Sequence, residues 1–281
     1  MKGPCRIALS GKGGTGKTTI SSLLIQALVG MGGVPVLAVD ADPNANLNEA
    51  LGLPLAETLG SMREDAFTKA IPPGMSRTGY IEYRFQQVLV ESDGVDLLAM
   101  GRPEGTGCYC FANRLLSEAM DLLTRHYRFV VMDMEAGMEH FSRGTIGTPD
   151  LLLVVSDPGA RGIRTAKRIH DLAITLGIPD RNIYFIMNRA GSAGGAAGGD
   201  GPESGPWGNS GRDAGISKGI GVARGTETAL DPSCILASIP DDPEVERADL
   251  EARPIVSLPD GSPAKQAVRG LAERVRSLCG G

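Results

Sequence analysis

The chain has 281 residues, a net charge of −5 and 42% apolar residues, of which few are aromatic. A mean hydropathy of −0.04 and the lack of any apolar run near the ~18 residues of a membrane span exclude a transmembrane protein. The 39 glycines follow no three-residue period, which excludes a collagen-like chain, and the mild acidity argues against a general nucleic-acid binder. The N-terminal apolar stretch is too short for a secretory signal, so a cytoplasmic protein is expected. Five cysteines (Cys5, Cys108, Cys110, Cys234 and Cys279) do not make a secreted disulfide framework; most are expected as inert thiols.

In chain order, short apolar runs alternate with helical patterns. Strands are expected at Arg6–Leu9, Val36–Val39, Val95–Met100, Phe129–Met132, Leu151–Val155, Ile183–Met187 and Ile235–Ala237. Helices are expected at Thr18–Val29, Phe111–His126, Gly162–Leu176 and Pro263–Leu278. Nearly continuous apolar strands of this length suit burial on both faces. The fold class is therefore α/β: a single domain over residues 1–281, with a mostly parallel sheet flanked by helices. Gly191–Gly225 holds thirteen of the 39 glycines and little to bury, and it reads as a flexible insertion.

Gly11-Lys-Gly-Gly-Thr-Gly-Lys-Thr-Thr19 follows a strand and opens a helix, the setting of a phosphate-binding P-loop. Gly11, Gly13, Gly14 and Gly16 let the backbone curl so that N–H groups around Lys12, Thr15 and Thr19 face phosphate oxygens. Lys17 is placed for the β- and γ-phosphates, and the Thr18 hydroxyl for Mg²⁺. ATP and Mg²⁺ are the expected ligands, in a P-loop NTPase fold.

A second lysine at the start of the loop, Lys12, resembles the deviant motif of the MinD/ParA/nitrogenase-iron-protein class of ATPases. The resemblance implies that Lys12 reaches a partner's nucleotide across an ATP-dependent homodimer. It also gives Asp40-Ala-Asp-Pro43 the part of a first switch, with Asp42 orienting the attacking water and Asp40 nearer the Mg²⁺ shell. Asp133, after an apolar strand, takes the Walker-B position. Gly137 allows a close approach to the γ-phosphate, whereas Glu135, Glu139 and His140 receive no chemical step. Asn188 matches the base-recognising asparagine, and Pro240–Glu244 the loop that covers the base. Read alone, Asp42-Pro43-Asn44 is equally an Asp-capped turn.

Cys108 and Cys110 are one residue apart. Two thiolates cannot complete a tetrahedral shell, but two chains of a dimer would supply four. With Gly11–Thr19, Asp40–Pro43 and Met132–His140 continuing to Arg143–Thr145, the pair resembles the CooC-type ATPases that mature nickel carbon monoxide dehydrogenase. That resemblance covers residues 5 to about 190 and resumes near 234. It implies ATP hydrolysis that supports nickel insertion, Zn²⁺ or Ni²⁺ at a dimer-bridging Cys108/Cys110 site, and the apo form of the dehydrogenase (or acetyl-CoA synthase) as partner. No nucleic-acid or membrane partner is expected.

Two alternatives stand beside it. One is a MinD- or ParA-like positioning ATPase, for which Val268, Leu271, Val275 and Leu278 would form a membrane-facing stripe and Arg161, Arg164, Lys167 and Arg168 a DNA-binding patch. The other is an electron-transfer ATPase with a bridging [4Fe–4S] cluster, disfavoured because no cysteine stands near Asp133–His140.

Overall fold

A computed structural model describes residues 3–62, 71–101, 123–135, 148–191 and 230–280. Seven strands form one sheet: β1 (Cys5–Gly11), β2 (Val36–Ala41), β3 (Val95–Ala99), β4 (Phe129–Met134), β5 (Leu151–Ser156), β6 (Ile183–Ala190) and β7 (Ile235–Pro240). Their order is β3-β2-β4-β1-β5-β6-β7, and every ladder between them is parallel. The sheet is thus wholly parallel. From β1 the chain moves out to β2 on one side, and after β4 it crosses to β5 on the other. That reversal at β1 opens a crevice at the strands' C-terminal ends, where ligands bind in open α/β sheets.

The described helices are α1 (Lys17–Gly30), α2 (Leu47–Leu51), α3 (Arg77–Val88), α4 (Ala160–Thr175), α5 (Pro243–Leu250) and α6 (Pro263–Leu278). Side chains alternate between two cores because successive strand residues point to opposite faces. Ile7, Leu9, Val131 and Leu153 pack with Leu24 of α1 and Leu271 of α6. Ala8, Val130, Met132 and Val154 pack with Phe85 of α3 and Ile163 of α4. Covering both faces is what allows six-residue strands such as β2, β4 and β5 to be buried throughout.

All seven expected strands are present, most of them a residue or more longer. Three helices escape the periodicity reading. The five residues of α2 are too few to show a period. In α3 a glycine lies in the first turn, while a Ser76 cap, accepting from the Gly79 N–H, supports the start. The eight residues of α5 begin with Pro243 behind a capping Asp242. The helix expected at Phe111–His126 lies almost wholly outside the described residues, as does the glycine-rich insertion beyond Gly191.

The C-terminal helix is a core element. Val268, Leu271, Ala272 and Val275 are fully buried, and α6 packs on α1 and β7. Burying one leucine in this way contributes about 1.5–3 kcal/mol. The guanidinium of Arg276 donates to the Met31 carbonyl and that of Arg274 to the Leu236 carbonyl, which ties the polar face down as well. The stripe that a membrane-facing reading needs is therefore spent on the sheet, with only Leu278 at its end substantially exposed. No described helix is long and apolar enough to cross a membrane.

A disulfide joins Cys5, at the start of β1, to Cys279, just past α6, with a Cα separation of 5.8 Å. These two cysteines are thus bonded rather than inert thiols. The cause is the packing of α6 on α1, which itself lies against β1, and this brings together residues 274 apart in sequence. Cys234 is a free thiol.

Candidate functional site

The loop from Gly11 to Lys17 lies at the end of the central strand. Gly11 is in register with Val155 of β5. A Cβ at Gly11 would stand 2.3 Å from the Val155 carbonyl oxygen, so the neighbouring strand itself demands glycine there. Gly16 precedes α1 in the left-handed region, φ +89°, where an L side chain is strained. The Thr15 N–H and hydroxyl both donate to the Lys12 carbonyl, at 3.3 and 2.8 Å, and the Lys17 ammonium donates to the same oxygen at 3.4 Å. The side chain of Lys12 belongs to an exposed residue, whereas Lys17 is 8% exposed. Burial lowers the Lys17 pKa, and the negative charges of Asp133, Asp42 and Glu135 oppose that shift.

Asp133 is buried against the first turn of α1. It accepts from the Thr18 hydroxyl at 2.6 Å and from the Ser21 hydroxyl at 3.0 Å. Burial raises its pKa; the two hydroxyls and Lys17 pull the other way, and Asp42 adds to the rise. Ser21 was not foreseen from sequence, although Thr18 and Ser21, three apart, necessarily share a helix face.

Asp40 of β2 is in register with Asp133 of β4, so two buried carboxyls stand side by side at the crevice floor. Asp40 accepts from the Asp42 N–H at 3.0 Å and the Leu47 N–H at 2.8 Å, and so braces the segment leading into α2. Burial pushes its pKa up to about 7, against those two amides and assisted by the charges of Asp133 and Asp42. Asp42 accepts from both the backbone and the side-chain amide of Asn44, at 2.8 and 3.0 Å. The Asp-capped turn expected at Asp42-Pro43-Asn44 is thus formed.

On the far side of the loop, Asn188 at the end of β6 donates from Nδ2 to the Thr15 carbonyl at 2.7 Å. The Asp241 N–H bonds to the Ala190 carbonyl at 3.4 Å, which brings the Pro240–Glu244 segment beside β6. Asp242 of that segment faces inward. It accepts from Ser262 Oγ and the Glu244 and Ala264 amides, capping α5 and holding the start of α6. Burial pushes its pKa up, but these three donors hold it below the ordinary carboxylate value.

The structure therefore gathers Gly11–Thr19, Asp40, Asp42, Asp133 and Asn188 around one crevice. Gly137, Glu139, His140, Cys108 and Cys110 lie outside the described residues. Among the described residues, no group of three or more His, Cys, Asp or Glu side chains is arranged to hold a metal ion.

Residues 7–197 match the CobQ/CobB/MinD/ParA nucleotide binding domain. The chain belongs to this family. Its CobQ/CobB/MinD/ParA domain spans β1 to the end of β6 and contains every crevice residue described above. Among its relatives, the uncharacterized ATP-binding protein MJ0685 of Methanocaldococcus jannaschii is 36% identical over 273 residues, covering 96% of this chain and 97% of its own. The carbon monoxide dehydrogenase accessory protein CooC of Rhodospirillum rubrum is 39% identical over 203 residues, covering 66% of this chain and 75% of its own. The fold matches the septum site-determining protein MinD of Pyrococcus horikoshii, complexed with Mg-ADP, at a TM-score of 0.63 and 23% identity, over 99% of this chain and 98% of that one. The protein is accordingly a P-loop nucleotide-binding ATPase of the CobQ/CobB/MinD/ParA family.

Proposed function

We propose that the protein is an ATP-hydrolysing maturation factor that dimerises with ATP and supports nickel insertion into carbon monoxide dehydrogenase. The observation that carries the ATPase half is the contact of Thr18 with Asp133 beside a loop whose glycines leave its backbone open to phosphate. Hydroxyl and carboxylate oxygens suit a hard cation, and Thr18, Asp133 and Asp40 are the residues that would hold Mg²⁺ directly or through water. The cation would neutralise charge on the β- and γ-phosphates. Lys17 and the loop amides stabilise the same charge, and the Lys12 of a second copy adds to it. Asp42 orients a water whose oxygen bonds to the γ-phosphorus as the bond to the ADP oxygen breaks, and the products are ADP and phosphate.

The nickel half is supported by the 39% identity to the carbon monoxide dehydrogenase accessory protein and by Cys108-x-Cys110. In this reading the two cysteines of each copy form one four-sulfur site for Ni²⁺ or Zn²⁺ on the dimer axis, coupled to ATP because both need the same closed dimer. The partner is the apo form of the dehydrogenase or of acetyl-CoA synthase. The protein acts as a single ATPase domain in the cytoplasm, carrying an insertion at about 191–225. Metal analysis of the anaerobically purified protein, with and without ATP, tests this reading. One Ni²⁺ or Zn²⁺ per dimer, lost on changing Cys108 and Cys110 to Ser, is expected; retained stoichiometric metal in that variant refutes the site.

A MinD-like positioning ATPase is the second reading, favoured by the near full-length match of the fold to MinD. It predicts ATP-dependent binding to anionic liposomes through a surface other than the buried stripe of α6, and no stoichiometric metal.

A further inference from the structure

The Asn188–Thr15 hydrogen bond spans 173 residues of sequence and joins β6 to the middle of the phosphate loop. Asn188 is 8% exposed, so this is a buried polar contact rather than a surface accident. A carbonyl only accepts, which fixes the amino end of the amide toward Thr15 and the Oδ1 end away from it. The neighbouring corner is built around the same side chain. Gly16 has φ +89°, and a Cβ there would lie 2.3 Å from Asn188 Nδ2. Gly16 is thus required twice, once by its backbone angle and once by the asparagine.

Planarity of the peptide gives this contact its consequence. The Thr15 carbonyl and the Gly16 N–H belong to one trans peptide and point in opposite directions. Holding the Thr15 oxygen therefore also sets the direction of the Gly16 N–H. The tie continues inward, since the Thr15 N–H and hydroxyl and the Lys17 ammonium all converge on the Lys12 carbonyl. β6 provides a defined anchor: its register with β7 shifts between Met187 and Ala190, and Arg189 takes a left-handed φ of +52° directly after Asn188. Such irregularities at a strand end serve to aim a side chain.

We propose that Asn188 is a positioning residue for the phosphate loop: from β6 it holds the Thr15–Gly16 peptide so that the loop amides are arranged before the polyphosphate arrives. The proposal rests on the nucleotide-binding reading of this crevice, yet it concerns the phosphate end of the ligand and needs no contact with a base. A loop left to order itself around left-handed glycines on binding would lose affinity for that ordering.

Inorganic tripolyphosphate separates the two ends, because it has phosphates and no base. Binding of ATP and of tripolyphosphate, each with Mg²⁺, is measured by calorimetry on the full chain and on Asn188→Ala, at a temperature where circular dichroism shows each folded. Both affinities are expected to fall by a similar factor of about 5–10, the effect of one buried hydrogen bond. Asn188→Ser keeps the position polar but is too short to reach Thr15; it should show the same paired loss and takes over the test if the alanine variant does not fold. A drop for ATP with tripolyphosphate unchanged overturns the proposal in favour of a base contact alone. A lowered melting temperature with both affinities intact overturns it in favour of a merely structural role. If the unaltered chain binds neither ligand, the nucleotide-binding reading itself fails.

Discussion

The Thr18 hydroxyl donates to the Asp133 carboxylate at 2.6 Å, which locks the first turn of α1 to the end of β4. A second hydroxyl, Ser21, completes the shell of the same carboxylate. Burial makes the Asp133 charge costly, and the two hydroxyls offset only part of that cost.

Asp133→Asn should separate that charge from the fold. An asparagine can accept from one hydroxyl and donate to the other, so both contacts survive without the buried charge. The unliganded variant should melt at the same temperature as the parent or a few degrees higher, while Mg²⁺-dependent ATP turnover falls about 10- to 100-fold. Calorimetric melting and phosphate release measure the two; undiminished turnover would remove Asp133 from the site.

Asp40 makes the stability of the metal- and nucleotide-free protein depend on pH. Its value of about 7 in the fold lies above the ordinary 3.8, so folding favours the protonated acid. The stability gained this way is complete below about pH 4 and is lost as pH rises through about 7. Relative to Asp40→Asn, the parent should lose a few kcal/mol between about pH 4 and pH 8. Urea unfolding of both proteins across that range is the measurement, and a constant difference would show that Asp40 is not held in this way.

The two loop lysines should behave differently. Lys17 is buried and shares the Lys12 carbonyl with Thr15, and removing its ammonium should weaken ATP binding about 10- to 100-fold. Lys12 is exposed, and Lys12→Ala should change ATP affinity by no more than about threefold while abolishing ATP-dependent dimerisation. Light scattering behind size exclusion reads the second effect. A Lys12→Ala protein that still dimerises with ATP would end the trans role.

The Cys5–Cys279 bond closes a ring of almost the whole chain and secures the end of α6 beside β1. Reduction, or Cys279→Ser, should cost about 2–4 kcal/mol and lower the melting temperature by roughly 5–10 °C. Mass spectrometry should show a gain of about 2 Da when the bond is reduced. An unchanged mass after reduction would mean the two thiols are not joined.

How much of this was legible in the sequence differs between strands and contacts. β2 and β5 are marked by their own apolar residues, because a parallel strand covered on both faces needs nothing polar. The P-loop is legible because its chemistry lies in nine consecutive residues between a strand and a helix. The helix α5 was not legible, since eight residues with Ala248 as their one buried side chain show no apolar stripe. Asp242 was legible only as part of a loop motif; its hold on the start of α6 depends on Ser262 and Ala264, twenty or more residues away.

The sequence by itself determined the fold class, the seven strands, the phosphate loop and the acids near the C-terminal ends of β2 and β4. Those features are local, written in the period of buried side chains and in the short spacing of glycines and lysines. The tertiary structure decided which of them meet. Strand order sets Asp40 beside Asp133, brings Asn188 to Thr15 and seats α6 on the sheet. No periodicity encodes these pairings, because which strands become neighbours is decided by the joint burial of both sheet faces, not by any one segment.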